Sequence, residues 1–161
     1  METQTKNTKR KVHFVSLGCP KNLVDSEIMI GSLVKSDYEI VDDASLAETI
    51  IVNTCGFIED AKKESLSTIF EMAQMKEEGA LKQLVVAGCL TQRYKDSLVE
   101  DLPEADVFIG SGEFQNIVKI LDENRSDATK KRFFNLPTFL QQEETPRLNS
   151  GQSHTAYLKI S

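Results

Sequence analysis

Cys19, Cys55 and Cys89 are the residues whose type and placement carry chemistry in this chain. Each sits where an apolar run dense in β-branched residues gives way to a helical pattern, and they lie 36 and 34 residues apart. That interval is about one strand-helix period of an α/β domain. Taken singly, a cysteine beside a strand is most often a small buried hydrophobe. Here all three occupy the same topological position and each touches a glycine, in Gly18-Cys19, Cys55-Gly56 and Gly88-Cys89. Glycine leaves room for something to approach the backbone closely. A thiol must lose its proton to bind a metal, and the start of a following helix favours the thiolate. The chemistry implied is ligation of a metal or a cluster. A disulfide framework is the weak reading, because the count is odd and the thiols are far apart in sequence.

Thiolates hold iron–sulfur clusters, usually four to a [4Fe–4S] centre, so three would leave one iron open to another ligand. Zinc is the competitor, yet structural zinc wants four ligands, often in close pairs, and no Cys-x-x-Cys occurs. His13 falls early in the first apolar run and His154 in polar sequence; both read as ordinary packing or surface residues. No phosphate-cradling glycine motif follows a strand, and no Ser-His-Asp arrangement is supported by the spacing.

The elements that position the cysteines follow from the pattern. Strands are expected over residues 12–17, 49–53, 84–88 and 105–110, and helices over 22–35, 59–77, 91–100 and 113–121. Strict alternation specifies an α/β fold: an open, mostly parallel sheet of about four to five strands with helices on both faces, flavodoxin/Rossmann-like. The carboxyl ends of such strands face one crevice. Neighbouring strands lie about 4.8 Å apart, so three strand ends span on the order of 10 Å, and modest curling of the loops would gather the sulfurs. In the longest helix Ala61, Leu66, Ile69, Phe70 and Ala73 read as core, with Gly79 just past its end. Pro103 closes the third helix, and Ser111 is a candidate cap for the last.

The domain division expected is a basic flexible tail over 1–11, a cysteine-bearing domain over 12–122, a linker over 123–154 with a short strand near 131–134, and a further strand over 155–161. The 161 residues suffice for one domain with its own core. A net charge of −6 argues against this domain gripping nucleic acid and would suit a basic protein partner, although acidity for solubility alone is the commoner reason. No run of eighteen apolar residues and no secretory signal are present, so no membrane partner and a cytoplasmic location are expected.

Three segments carry a resemblance. Residues 16–27, Ser-Leu-Gly-Cys-Pro-Lys-Asn-Leu-Val-Asp-Ser-Glu, together with Asn53-Thr54-Cys55-Gly56-Phe57-Ile58 and Gly88-Cys89-Leu90-Thr91-Gln92-Arg93-Tyr94, resemble the N-terminal domain of the radical S-adenosylmethionine methylthiotransferases. Pro20-Lys21-Asn22 resembles the branch that modifies an aspartate β-carbon in a small-subunit ribosomal protein; tRNA-modifying branches typically carry Gln-Met-Asn or Lys-Val-Asn there. The resemblance implies that Cys19, Cys55 and Cys89 ligate an auxiliary [4Fe–4S] cluster whose open iron handles the sulfur to be inserted. It also implies S-adenosylmethionine as methyl donor and radical source, and a second [4Fe–4S] cluster in the full-length enzyme. The radical cluster needs Cys-x-x-x-Cys-x-x-Cys, which this sequence lacks. Residues 154–161 resemble the strand just before that motif, so the catalytic radical domain and the C-terminal domain would lie beyond, and this chain alone is expected to be inactive.

Lys21, Asn22, Asp25 and Arg93 fall near the same rim; capping and solvation compete with contacts to sulfur or substrate. Three other readings stay open: the same domain of a tRNA methylthiotransferase, a non-enzymatic zinc or redox module, and a flavodoxin-like binding domain with idle cysteines.

Overall fold

The computed structural model describes residues 8–124, 131–136, 138 and 142–158. Strands β1 (Arg10–Ser16), β2 (Tyr38–Ile40), β3 (Thr49–Thr54), β4 (Gln83–Gly88), β5 (Val107–Gly110) and β6 (Lys131–Phe133) are joined by helices α1 (Pro20–Val34), α2 (Glu59–Gln74), α3 (Cys89–Asp101) and α4 (Ile117–Glu123), except that a 3₁₀ turn over Ala44–Leu46 links β2 to β3. Among the described residues the strands form one sheet in the order β2-β1-β3-β4-β5-β6, and every pairing is parallel. This is the expected open α/β architecture, with six strands rather than four to five.

The reason lies in the strands themselves. β3 and β4 are apolar on both faces, since Ile51, Val85 and Ala87 pack with α1 and α4 residues, while Ile50, Val52, Leu84 and Val86 pack with α2 and α3 residues. A strand covered twice reads as a continuous apolar run. β2 escaped the sequence reading because three residues with Glu39 between Tyr38 and Ile40 make no periodic signal, and only pairing with β1 organises them. Strand β6 falls within the stretch where a short strand was expected.

Element boundaries moved for local reasons. α1 starts at Pro20, two residues early, because proline at the first helical position has its φ already set and lacks only an orphan N–H. β1 begins at Arg10, whose guanidinium lies 4.0 Å from the Tyr38 ring centroid and bonds Asp122 at 2.7 Å. α2 ends at Gln74, and the chain continues in a turn to Gly79 at φ 96°. Ser111 is not a cap: it lies in a turn, a 3₁₀ turn over Phe114–Asn116 follows, and α4 starts at Ile117. Phe70 is not core either. It is 45% exposed while Ser65 is fully buried, because α2 faces the sheet with Ser65, Ile69 and Ala73, four residues apart.

Residues 142–158 contain no helix or strand, so the part of the final expected strand that is described, 155–158, is irregular; 159–161 lie outside the described residues, as do residues 1–7 of the tail expected over 1–11, whose Arg10 and Lys11 belong instead to β1. No described helix is long and apolar enough to cross a membrane.

Candidate metal centre

The strand order reverses between β1 and β3: β1 leads to β2 on one side, then the chain crosses to β3 on the other. The crevice outside the carboxyl ends at such a switch point is where open α/β sheets bind ligands. Register aligns Ser16 with Asn53 and Asn53 with Ala87, so the chain leaves β1, β3 and β4 level with one another. Cys19 follows β1, Cys55 follows β3 and Cys89 opens α3 directly after β4. All three thiols are free, with Cys19 exposed, Cys89 half-buried and Cys55 buried.

Glycines allow the loops to close up. Gly18, at φ 93°, lies so near Cys55 that a Cβ on it would stand 2.9 Å from Cys55 Sγ. The Cys19 loop is therefore against the Cys55 side chain. Gly88, at φ 100°, lets Cys89 turn into α3, and a Cβ there would strike Thr54 N at 2.9 Å. Cys89's thiol registers its surroundings: burial pushes its pKa up, Lys21 opposes this, and charge on Cys19, Cys55 and Asp25 pushes it further up.

Polar side chains fix the backbone beneath the thiols. Ser65 of α2 clamps Cys55: its Oγ accepts from Cys55 N at 3.1 Å and donates to Cys55 O at 2.9 Å. Asn22, 2% exposed, aims Nδ2 at the carbonyls of Leu17 (2.6 Å), Asn53 (3.3 Å) and Thr54 (3.3 Å), which ties the ends of β1 and β3 together. Asn53 returns the contact, donating to Asn22 O at 3.1 Å and Ser26 Oγ at 2.7 Å. Arg93 donates to Gly56 O at 3.0 Å and so holds the loop after Cys55.

Of the rim residues expected from sequence, Asn22 and Arg93 thus hold loops, while Lys21 and Asp25 act on Cys89 through charge. His13 hydrogen-bonds the Val41 carbonyl at 3.0 Å, and His154 is exposed. Ser65, Asn53 and Ser26 were missed; the usable signal was a serine in the α2 stripe Ala61-Ser65-Ile69-Ala73, where an apolar residue belongs. Helix starts also differ: α1 and α3 begin at their cysteines, but α2 begins at Glu59, four residues beyond Cys55.

Among the described residues no group of three Cys, His, Asp or Glu side chains stands at metal-ligating geometry. The donor set at this edge is three soft thiols, which suits an iron–sulfur group better than a hard cation.

The model of a family described as "Uncharacterized protein family UPF0004" matches residues 11–110. A Bdellovibrio bacteriovorus protein named "Ribosomal protein uS12 methylthiotransferase RimO" is 65% identical over 161 residues, which are 100% of this chain and 35% of that protein. Its namesake in Geobacter sulfurreducens is 49% identical over 155 residues, 96% of this chain and 35% of the relative. That of Anaeromyxobacter sp. (strain K) is 50% identical over 152 residues, 94% and 32% respectively. The chain spans about a third of the length of the curated relatives it matches.

Proposed function

The chain belongs to uncharacterized protein family UPF0004, the N-terminal domain of radical S-adenosylmethionine methylthiotransferases, and we propose that it serves as the three-cysteine auxiliary [4Fe–4S] domain of an enzyme that methylthiolates an aspartate of a small-subunit ribosomal protein in the cytoplasm. The observation that carries this is the arrival of Cys19, Cys55 and Cys89 at one sheet edge, from strands β1, β3 and β4, around the switch point. The names of the relatives support the ribosomal-protein substrate.

When bound, a three-thiolate cluster offers an iron open to an outside sulfur ligand. The chain's own residues do the holding. Cys19, Cys55 and Cys89 supply thiolates, and Lys21 eases ionisation of Cys89 against the burial that resists it. Gly18 keeps the first loop against the second cysteine, while Asn22 and Ser65 fix the loop backbones. Hydrogen abstraction from substrate and cleavage of S-adenosylmethionine are assigned to the remainder of the full-length protein.

Anaerobic reconstitution of the 161-residue chain with ferrous iron and sulfide, followed by Mössbauer spectroscopy and iron analysis, tests the reading. About four irons per chain are expected, falling to background in Cys19→Ala, Cys55→Ala and Cys89→Ala, with no cleavage of S-adenosylmethionine. A cluster that persists in Cys55→Ala or Cys89→Ala, or a preparation that takes up zinc and no iron, would sink it.

A further inference from the structure

Glu27 is 1% exposed on α1, yet it does not belong to the apolar face that packs on the sheet, which Val24, Ile28, Met29 and Leu33 provide. What buries it is the segment far downstream. Arg147 places Nε 2.7 Å and Nη2 2.6 Å from Glu27 Oε2, and Ser150 donates from both N and Oγ to Oε1 at 2.9 Å. Leu148 N donates to the Glu27 carbonyl at 3.0 Å.

One turn along, Gly31 is buried under the same segment. A Cβ there would stand 2.7 Å from Arg147 N and 2.9 Å from Pro146 C. One turn in the other direction, Leu23 lines a small pocket with Asn149, Gly151, Thr155, Ala156 and Tyr157. Leu23, Glu27 and Gly31 are four residues apart and form one stripe. The segment therefore climbs α1 against its direction, from Gly31 to Leu23, about 12 Å at the helical rise. It arrives at the turn where Leu23 N bonds the Cys19 carbonyl at 3.1 Å.

We infer that residues 146–157 form a strap seated on the Leu23-Glu27-Gly31 stripe, and that Glu27 and Gly31 are positioning residues that bring the chain to Tyr157 beside the cysteine-bearing edge. Resting on the function proposed above, this seating delivers the chain to the edge where the thiols would hold their cluster. Glu27 supplies the directional lock, because a buried carboxylate needs its full set of donors and this seating satisfies both oxygens. Gly31 supplies the clearance.

The chain contains no tryptophan, so Tyr157→Trp installs a single reporter whose emission a bound iron–sulfur group quenches when near. In the reconstituted 161-residue chain, loading is expected to quench this tryptophan. Adding Glu27→Ala or Gly31→Ala is expected to remove at least about half of the quenching with iron content unchanged, and to speed amide exchange at Leu148 and Ser150 at least about tenfold. Arg147→Lys, which keeps the charge, is expected to retain most of the protection. Gly31→Ala matters because alanine favours a helix, so a loss of protection there reports the collision with the strap and not a weaker α1. Unchanged quenching and exchange in both variants would overturn the strap, as would loss of iron in Gly31→Ala. If the unmutated chain takes up no iron, the cluster reading fails, while exchange at Leu148 and Ser150 still decides the strap.

Discussion

Asn22 shows at the scale of one residue how a site is built without touching its ligand. Its Nδ2 reaches three carbonyls, those of Leu17, Asn53 and Thr54, and two of these immediately precede the loops that carry Cys19 and Cys55. In Asn22→Ala those carbonyls lose a buried donor, which costs about 1–3 kcal/mol and should lower Tm by roughly 2–4 °C per kcal/mol for a chain of this size. Thermal and urea unfolding of the iron-free chain measure it; a Tm within a degree of the parent would mean that water replaces the amide at no cost. Asn22 was in view from sequence as a rim residue, but its helix-cap reading competed with a contact to sulfur or substrate. Neither describes what it does. A capping asparagine and a loop clamp look the same in sequence, because the difference lies in which carbonyls a neighbouring strand brings within reach.

At the scale of elements, α1 has two loads. One face packs on the sheet, and the Leu23-Glu27-Gly31 stripe carries residues 146–157. Burial alone would raise the Glu27 carboxyl, but the Ser150 amide, the Arg147 guanidinium and the Ser150 hydroxyl together hold it below the ordinary carboxylate value of 4.5. A depressed carboxyl stabilises the native arrangement above its unfolded pKa, and that contribution drains away as pH falls through the folded one. The strap should therefore loosen below about pH 4.5, with Arg147 the charged group that faces the carboxylate. Amide exchange of residues 148–150, followed from pH 6 downward and corrected for intrinsic rate, is expected to rise there, and Glu27→Gln is expected to flatten the profile. A profile that is the same in both proteins would remove Glu27 from the strap. Helix starts tell a related story: α1 caps at Cys19 and α3 opens on Cys89, whereas Gly56-Phe57-Ile58 intervene before α2, leaving Phe57 84% exposed.

At the scale of the molecule, the order β2-β1-β3-β4-β5-β6 puts β3 and β4 at the centre with helices over both faces. Amides of β3 and β4 should exchange only through global unfolding, and those of the edge strands β2 and β6 faster through local opening; hydrogen exchange read by mass spectrometry checks this, and uniform protection across the sheet would contradict it. Much of this design was legible before any coordinates. Double-faced apolar runs at 49–53 and 84–88 announce buried parallel strands, and the strand-helix period alone sends three distant cysteines to the same edge, because a parallel sheet has only one carboxyl end. What stayed hidden was everything decided by contact between distant segments. Tyr38–Ile40 is a strand only because β1 lies beside it, Phe70 faces out because α2 turns Ser65, Ile69 and Ala73 to the sheet, and Glu27 is buried only because Arg147 and Ser150 come back to it across 120 residues or more. Sequence thus determines periodicity and hence which end of the sheet bears the thiols, since those follow from local backbone chemistry. Pairing partners, clamps and the course of the strap are set by tertiary structure, because a hydrogen-bonding group acquires its role only from the partner that folding brings to it.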